Sequence, residues 1–150
     1  MYHYSKIKSN IYLIALEVCS VQCVVCFRSE PTWRIDRVDF GSVSIETSYE
    51  DVHPALVDYE SRIEGIEFKR IYDTIAEICF DRIQSTNKIL YMRADLPQKL
   101  RMLRWFVNKH LDRFTEVADV YAIIDGKQIL YSASIVPDPS VFLVVPKSIE

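Results

Sequence analysis

Three cysteines near the N-terminus have the spacing of a metal-binding motif. Cys19, Cys23 and Cys26 follow an apolar run and are separated by three and then two residues. Three thiolates at this spacing can hold an iron–sulfur cluster. The alternative is that they are small apolar side chains of a protein core, as buried cysteines commonly are. The valines between them favour a packed strand, so we predict no bound metal and no cofactor.

The cysteine spacing resembles the cluster motif of the radical S-adenosylmethionine enzymes. The resemblance covers residues 19–26 only, and it implies an iron–sulfur cluster held by the three thiolates. The Gly-Gly-Glu type of segment that holds the cofactor in that family has no counterpart in this sequence.

A second pattern occupies residues 62–67, Arg-Ile-Glu-Gly-Ile-Glu. It resembles the Arg/Gln-x-x-Gly-x-Gly/Ala segment of the acetyl-CoA-dependent N-acetyltransferases, with Glu67 where that family has Gly or Ala. The resemblance implies that amides at a helix start hold the cofactor pyrophosphate, with Arg62 and Gly65 at the matching positions. The predicted elements that follow (helix, strand, helix, strand, strand) also have a similar order. This pattern leaves open whether the chain is an enzyme.

A helix predicted over residues 96–114 has the surface best suited to a partner. At about 100° per residue, Trp105 points away from the leucine side of this helix. Residues 99–113 contain five basic residues and one acid, a net charge of +4, whereas the whole chain carries −3. The candidate partner-binding residues are Arg101, Met102, Trp105, Phe106, Lys109 and Arg113.

Three interpretations of this face compete. In the first interpretation, another part of the same chain, such as the final strand or the acidic loop of residues 49–61, covers Trp105. Alternatively, the face binds a protein, either a second copy or an acidic partner, since Trp, Met and Arg are enriched at interfaces. In the third interpretation Trp105 stacks on a base of a nucleic acid. We predict a non-enzymatic protein-interaction module, with a homodimer as one form; the alternative is a diverged, small N-acetyltransferase-like enzyme.

The first half of the chain is predicted to be β-rich. Runs at residues 11–16 and 21–27 are rich in β-branched and aromatic side chains, which favours two strands over the alternative, a buried helix. Residues 32–39 and 42–47 alternate polar and apolar side chains around Gly41, which predicts a second hairpin. The acidic residues 49–61 have no clear period and are predicted to form a long loop.

Two amphipathic helices are predicted in the second half. The first has a buried stripe with three- and four-residue spacing, formed by Phe68, Ile71, Tyr72, Ile75, Ile78, Cys79 and Ile83. Asp95 is predicted to cap the second helix, just before Pro97. The core stripe of the second helix is predicted to be Leu96, Leu100, Leu103, Val107, Leu111 and Phe114, with His110 beside it.

A hairpin and a last strand complete the predicted fold. Asp125-Gly126 lies between two strand-like runs, and this dipeptide favours a type I′ turn. Residues 141–145 are predicted to form the last strand. The sequence therefore predicts an α+β fold, a mainly antiparallel sheet packed with two amphipathic helices, in a single domain over residues 1–150.

Composition restricts the class and the compartment. The 150 residues are 49% hydrophobic and 26% charged, which is typical of a globular protein. The most apolar stretch, residues 11–27, is interrupted by polar side chains, so we expect no membrane span. Four cysteines in apolar settings fit a reducing compartment, and we predict a cytoplasmic protein.

Overall fold

The computed structural model describes residues 1–16, 20–30, 32–59, 67–132 and 139–147. Besides two single-turn 3-10 helices, Tyr49–Asp51 and Pro54–Leu56, two α-helices and eight strands are found there. The helices are α1 (Phe68–Thr86) and α2 (Pro97–Val117). The strands are β1 (Tyr4–Lys8), β2 (Ile11–Ile14), β3 (Val21–Glu30), β4 (Ile35–Ser44), β5 (Ile89–Arg93), β6 (Ala118–Ile124), β7 (Lys127–Leu130) and β8 (Val141–Pro146).

The described strands hydrogen-bond in the order β1-β2-β3-β4-β5-β8-β6-β7. Strand β4 pairs with β5 in parallel, joined through α1, whereas β5–β8, β6–β8, β6–β7, β1–β2 and β2–β3 are antiparallel. The predicted α+β class, a mainly antiparallel sheet with two helices, is confirmed. Neither helix of the described residues is long and apolar enough to cross a membrane.

The chain divides into two compact units, which we describe separately. The N-terminal unit contains residues 1–28 and 38–78, and the C-terminal unit contains residues 29–37 and 79–150. The single domain over residues 1–150 stays a prediction.

In the N-terminal unit, strand β2 and residues 23–27 of β3 are buried on both faces. Side chains of a strand alternate between faces, and the side chains of one face pack with those of the segment that follows β4. That cluster consists of Ile11, Leu13, Val24, Cys26, Val43, Val52 and Val57. On the other face Tyr12 and Phe27 pack edge to face, with ring centroids 5.7 Å apart. Burial on both faces explains why β2 and residues 23–27 of β3 are continuous apolar runs.

Gly41 does not mark a turn, so the predicted second hairpin around it is wrong. Residues 35–44 form one strand, β4, and Gly41 lies within it. A Cβ atom at Gly41 would overlap the carbonyl oxygen of Asp58. Next to it, the backbone amides of Ser42 and Asp58 each donate to the other residue's carbonyl at 2.9 Å. Glycine is needed here because a second backbone segment approaches closely.

In the C-terminal unit, α2 packs against β5 and β6. Asp125 and Gly126 have φ angles of 52° and 76°, as a type I′ turn requires, so the predicted β6–β7 hairpin is confirmed. All four residues of β7 are exposed. The predicted last strand is also confirmed, as β8.

Helix α1 forms because its apolar residues recur at helical spacing. Every predicted stripe residue whose side chain is described is buried, namely Ile71, Tyr72, Ile75, Ile78, Cys79 and Ile83. The helix ends at Asn87, which has a φ angle of 55° and donates its amide to the carbonyl of Ile83 at 2.9 Å. Asparagine tolerates this left-handed conformation, which commonly ends helices.

Candidate interaction surface

Helix α2 begins without the predicted side-chain cap. Leu96 occupies the N-cap position in an extended conformation and makes no side-chain capping bond, and Pro97 is the first helical residue. Asp95 instead accepts a hydrogen bond from Arg93, with Nε and Oδ1 2.8 Å apart. Pro97 lacks an amide proton, so its position leaves one fewer donor to satisfy. The prediction of Asp95 as the cap is wrong.

The buried side of α2 is more aromatic than predicted. Its buried residues are Phe106, Val107, His110 and Phe114. The Phe114 ring lies 4.8 Å from that of Phe80 and 6.1 Å from that of Phe106, measured between centroids. His110 places Nδ1 2.9 Å from the carbonyl oxygen of Phe106, so part of its polarity is satisfied within the helix. Aromatic rings in such tilted contacts stabilise a core beyond the area they bury.

Two predicted positions on α2 are corrected by this arrangement. Phe106, predicted to lie on the exposed flank with Trp105, is only 3% exposed and belongs to the core. Leu96, predicted to begin the core stripe, is 56% exposed. The core of the C-terminal unit contains the ring of Phe106, which is larger than a leucine side chain. The buried stripe of α2 is therefore centred closer to residues 106 and 110 than the leucine pattern indicates.

The outer side of α2 carries the other predicted site residues. At about 100° per residue, Trp105 lies opposite the buried stripe, and its side chain is half-buried. The Lys109 ammonium lies over its ring, with Nζ 5.1 Å from the ring centroid. Met102 is half-buried, and Arg101 is exposed. An ammonium over an indole is attracted by the negative face of the ring.

Arg113 borders this surface. It is exposed, and its Cζ lies 4.2 Å from the centroid of the Phe80 ring. A guanidinium stacked on an aromatic ring is held in place by the attraction between the cation and the ring. We use the name basic face for Arg101, Met102, Trp105, Lys109 and Arg113 together.

One flank of α2 is occupied by the chain itself. Arg104 donates from Nε to the carbonyl oxygen of Pro139 at 3.0 Å. One turn further along, the hydroxyl of Tyr131 donates to the side-chain oxygen of Asn108. These contacts bring the ends of the β7–β8 connection onto the helix, and they separate Arg104 from the basic face. The connection's residues 133–138 lie outside the described residues.

Charge and apolar area coincide on the basic face. Three cationic side chains stand around an indole and a thioether, types that are enriched at the centres of protein interfaces. Asp112, also exposed, is one turn from Lys109. The face can therefore attract an acidic surface over a distance and bury an apolar contact at its centre.

A buried ionic network lies in the C-terminal unit, the unit that also contains α2. Asp36 on β4 is fully buried, and Arg82 on α1 donates from Nε to its Oδ2 at 2.7 Å. Ser29 donates from Oγ to Oδ1 at 2.6 Å, and the Lys88 ammonium lies 3.8 Å from Oδ1. Burial raises the pKa of Asp36, but the bonds and charges from Arg82, Ser29 and Lys88 lower it by more. The net pKa is lowered, so Asp36 is a permanent carboxylate and not a proton shuttle at neutral pH.

The described thiols do not converge on one ligand position. Cys23 and Cys26 are three residues apart on β3 and therefore lie on opposite faces of the strand. Burial, followed by the charge of Cys26, raises the pKa of Cys23 to about 12, and burial raises the pKa of Cys79 to about 12. Such thiols are protonated and poor ligands or nucleophiles. Cys19 lies outside the described residues.

Residues 62–66 of the acetyltransferase-like pattern also lie outside the described residues, whereas Glu67, its last residue, is described and exposed. The elements that follow do have the predicted order of helix, strand, helix, strand, strand.

Comparison with known proteins identifies no relative. No family model matches the chain, and neither the curated proteins nor the solved structures contain a match. A proposal for the function therefore depends on the sequence and the geometry of this chain alone.

The Asp36–Arg82 pair was not predicted from the sequence. Both residues are charged, and a charged residue in a sequence is first assigned to the surface. One signal was present: Arg82 follows Ile78 by four residues and Cys79 by three, so it falls on the buried stripe of α1.

Proposed function

We propose that this chain is a non-enzymatic protein-interaction module that docks a protein partner on the basic face of α2. The observation that carries the proposal is the position of Trp105, opposite the buried stripe and surrounded by exposed cations. A large aromatic side chain that the helix directs away from its own core contributes to binding when a partner covers it.

A protein partner fits the charges better than a nucleic acid does. The whole chain has a net charge of −3, and Asp112 and Glu116 are exposed on the last turns of α2. Phosphate backbones favour uniformly basic surfaces. Self-association is the form to test first, because most soluble oligomers are built from identical chains. A cytoplasmic location stays the prediction, supported by the free thiols of Cys23, Cys26 and Cys79.

Sedimentation equilibrium of the wild-type chain and of Trp105→Ala tests the proposal. We expect the wild type to exceed the mass of one chain, 17.5 kDa, and Trp105→Ala to weaken association by about 30-fold, as expected for a central aromatic anchor. Trp33→Ala is the matched control, because Trp33 is 69% exposed on the β3–β4 connection. Equal association of all three proteins would contradict a docking role for the basic face.

The acetyltransferase-like alternative has one supporting observation. The parallel pair β4–β5 is joined through α1, and residues 62–67 immediately precede this helix. Helix starts after strands of parallel pairs commonly hold phosphate groups. Calorimetric titration with acetyl-CoA tests the alternative, with Arg62→Ala as the variant expected to lose binding. A titration without heat of binding would remove it.

A further inference from the structure

A second surface of the chain has the opposite charge to the basic face. Residues 45–56 contain three acids, Glu46, Glu50 and Asp51, and neither lysine nor arginine. All three acids are exposed. We call residues 45–56 the acidic segment.

The acidic segment also exposes large apolar side chains. Ile45 is 51% exposed, Tyr49 is 57% exposed and Leu56 is 62% exposed. Single exposed apolar residues are ordinary on protein surfaces, but three within twelve residues, interleaved with exposed carboxylates, give this segment both apolar and acidic side chains. Protein interfaces commonly combine these two kinds of side chain, an apolar centre and a polar rim.

The backbone of the acidic segment is held in place within the N-terminal unit. The Lys8 ammonium donates to the carbonyl oxygens of Glu50 at 3.0 Å and Val52 at 2.7 Å. Val52 is buried beneath it, and Ser48 donates from Oγ to Asp51 at 2.9 Å. Because the segment is already ordered, docking would cost little further conformational entropy.

The partner of the basic face must be acidic, and this excludes the simplest symmetric dimer. A two-fold pairing of α2 with α2 brings the same patch of both copies together. That would place the exposed cations of the basic face, Arg101, Lys109 and Arg113, against the same three cations. Like charges across an interface oppose association, so the basic face needs a different surface as its counterpart.

We infer that the partner is a second copy of this chain, whose acidic segment docks on the basic face. The inference rests on the proposed function and names its partner. Glu46 and Glu50 of one copy meet Arg101 and Lys109 of the other, and the exposed apolar side chains of the acidic segment cover the Trp105 indole. Such a head-to-tail contact uses two different patches, and so it produces a ring when the rotation closes and a growing chain when it does not.

Two charge-reversal variants test the inference. The first, Arg101→Glu with Lys109→Glu, changes only exposed side chains of the basic face. The second, Glu46→Lys with Glu50→Lys, changes only exposed side chains of the acidic segment and leaves the Ser48–Asp51 bond intact. Lys127→Glu, on exposed β7, is the control for charge reversal elsewhere.

Sedimentation equilibrium is measured on each variant and on their equimolar mixture. We expect each double variant alone to lose association by about tenfold or more, and the mixture to regain it, because each brings the charge the other lacks. Lys127→Glu should associate like the wild type. Circular dichroism confirms that each variant is folded.

The outcomes distinguish a failure of this inference from a failure of the proposed function. If the basic-face variant loses association but the acidic-segment variant associates normally, the acidic segment is not the counterpart, while docking on α2 stands. If the basic-face variant associates like the wild type, both the inference and the proposed function are wrong. If both variants are monomeric and their mixture stays monomeric, the two surfaces do not meet and the inference is wrong.

Discussion

Asp36 and Lys109 are both charged residues of the C-terminal unit, but their surroundings are opposite. Asp36 has no solvent exposure, and its two carboxylate oxygens are bonded to Arg82 and Ser29. Lys109 is exposed, and its ammonium lies over a half-buried indole. The buried charge of Asp36 is matched by Arg82 and Ser29, whereas the exposed charge of Lys109 lies beside an apolar ring.

The difference indicates that the buried charges serve folding and the exposed charges of the basic face serve association. Breaking a buried ion pair leaves one charge in a medium that solvates it poorly, so the cost falls on stability. Exposed ion pairs and cation–π contacts contribute little to stability, since water and salt screen them. Substitutions in the buried network should therefore change folding, and substitutions on the basic face should change association.

The largest effect is expected from Asp36→Asn. Loss of the carboxylate leaves the Arg82 guanidinium buried without its counter-ion, so the free energy of unfolding should fall by about 3–5 kcal/mol. Urea denaturation followed by circular dichroism measures it. The double variant Asp36→Leu, Arg82→Met should recover much of the loss, because neither charge is then buried alone. A single variant as stable as the wild type would contradict the structural role of the pair.

A smaller loss is expected from Gly41→Ala. The new methyl group would overlap the Asp58 carbonyl oxygen, so β4 and residues 57–58 must separate, at about 1–3 kcal/mol of unfolding free energy. This backbone contact also anchors the end of the acidic segment, so self-association should weaken as well. Urea denaturation and sedimentation equilibrium measure the two effects. Unchanged values in both would contradict the close approach.

The pH dependence of stability should be smaller, because the burial penalty on Asp36 offsets part of the stabilisation from its partners. The folded pKa lies below the ordinary value of 3.8. The ionised pair therefore stabilises the fold fully above that value, and this stabilisation is lost as pH falls through the folded pKa. Urea midpoints measured from about pH 5 to pH 2 should fall less steeply in Asp36→Asn than in the wild type. Identical slopes would contradict the lowered pKa.

The smallest effect on folding is expected from the basic face. Lys109→Gln removes an exposed charge, and its unfolding free energy should stay within about 0.5 kcal/mol of the wild type. Its self-association should nevertheless weaken. A loss of stability comparable to that of Asp36→Asn would show that Lys109 serves the fold and not a partner.

Local patterns in the sequence predicted the elements that depend on local physics. The stripe of α1 follows from apolar residues at three- and four-residue spacing. The β6–β7 turn follows from the tolerance of Asp125 and Gly126 for positive φ angles. Strand β8 follows from a run of five apolar residues between prolines. Each of these signals is contained within a few turns of helix or one hairpin.

The failures concern residues whose role is set by distant parts of the chain. A glycine between two alternating runs is typical of a turn. At Gly41 the glycine is instead required because the backbone of Asp58, which lies outside β4, approaches closely. Phe106 lies beside Phe114, whose ring packs on that of Phe80 in the preceding helix. Arg82 is buried because Asp36, forty-six residues earlier, supplies its counter-ion. These contacts join residues far apart in the sequence, so no local pattern predicts them. For the same reason Phe106 was wrongly assigned to the outer surface of α2.

The most direct test of self-association through the basic face is sedimentation equilibrium of the wild-type chain at about 50 mM and about 500 mM salt. Because the basic face and its acidic counterpart attract through exposed charges, a rise in salt should screen them. We predict a mass above that of one chain at low salt, which decreases towards 17.5 kDa as salt rises. A mass of one chain at every concentration and at both salt levels would contradict the account.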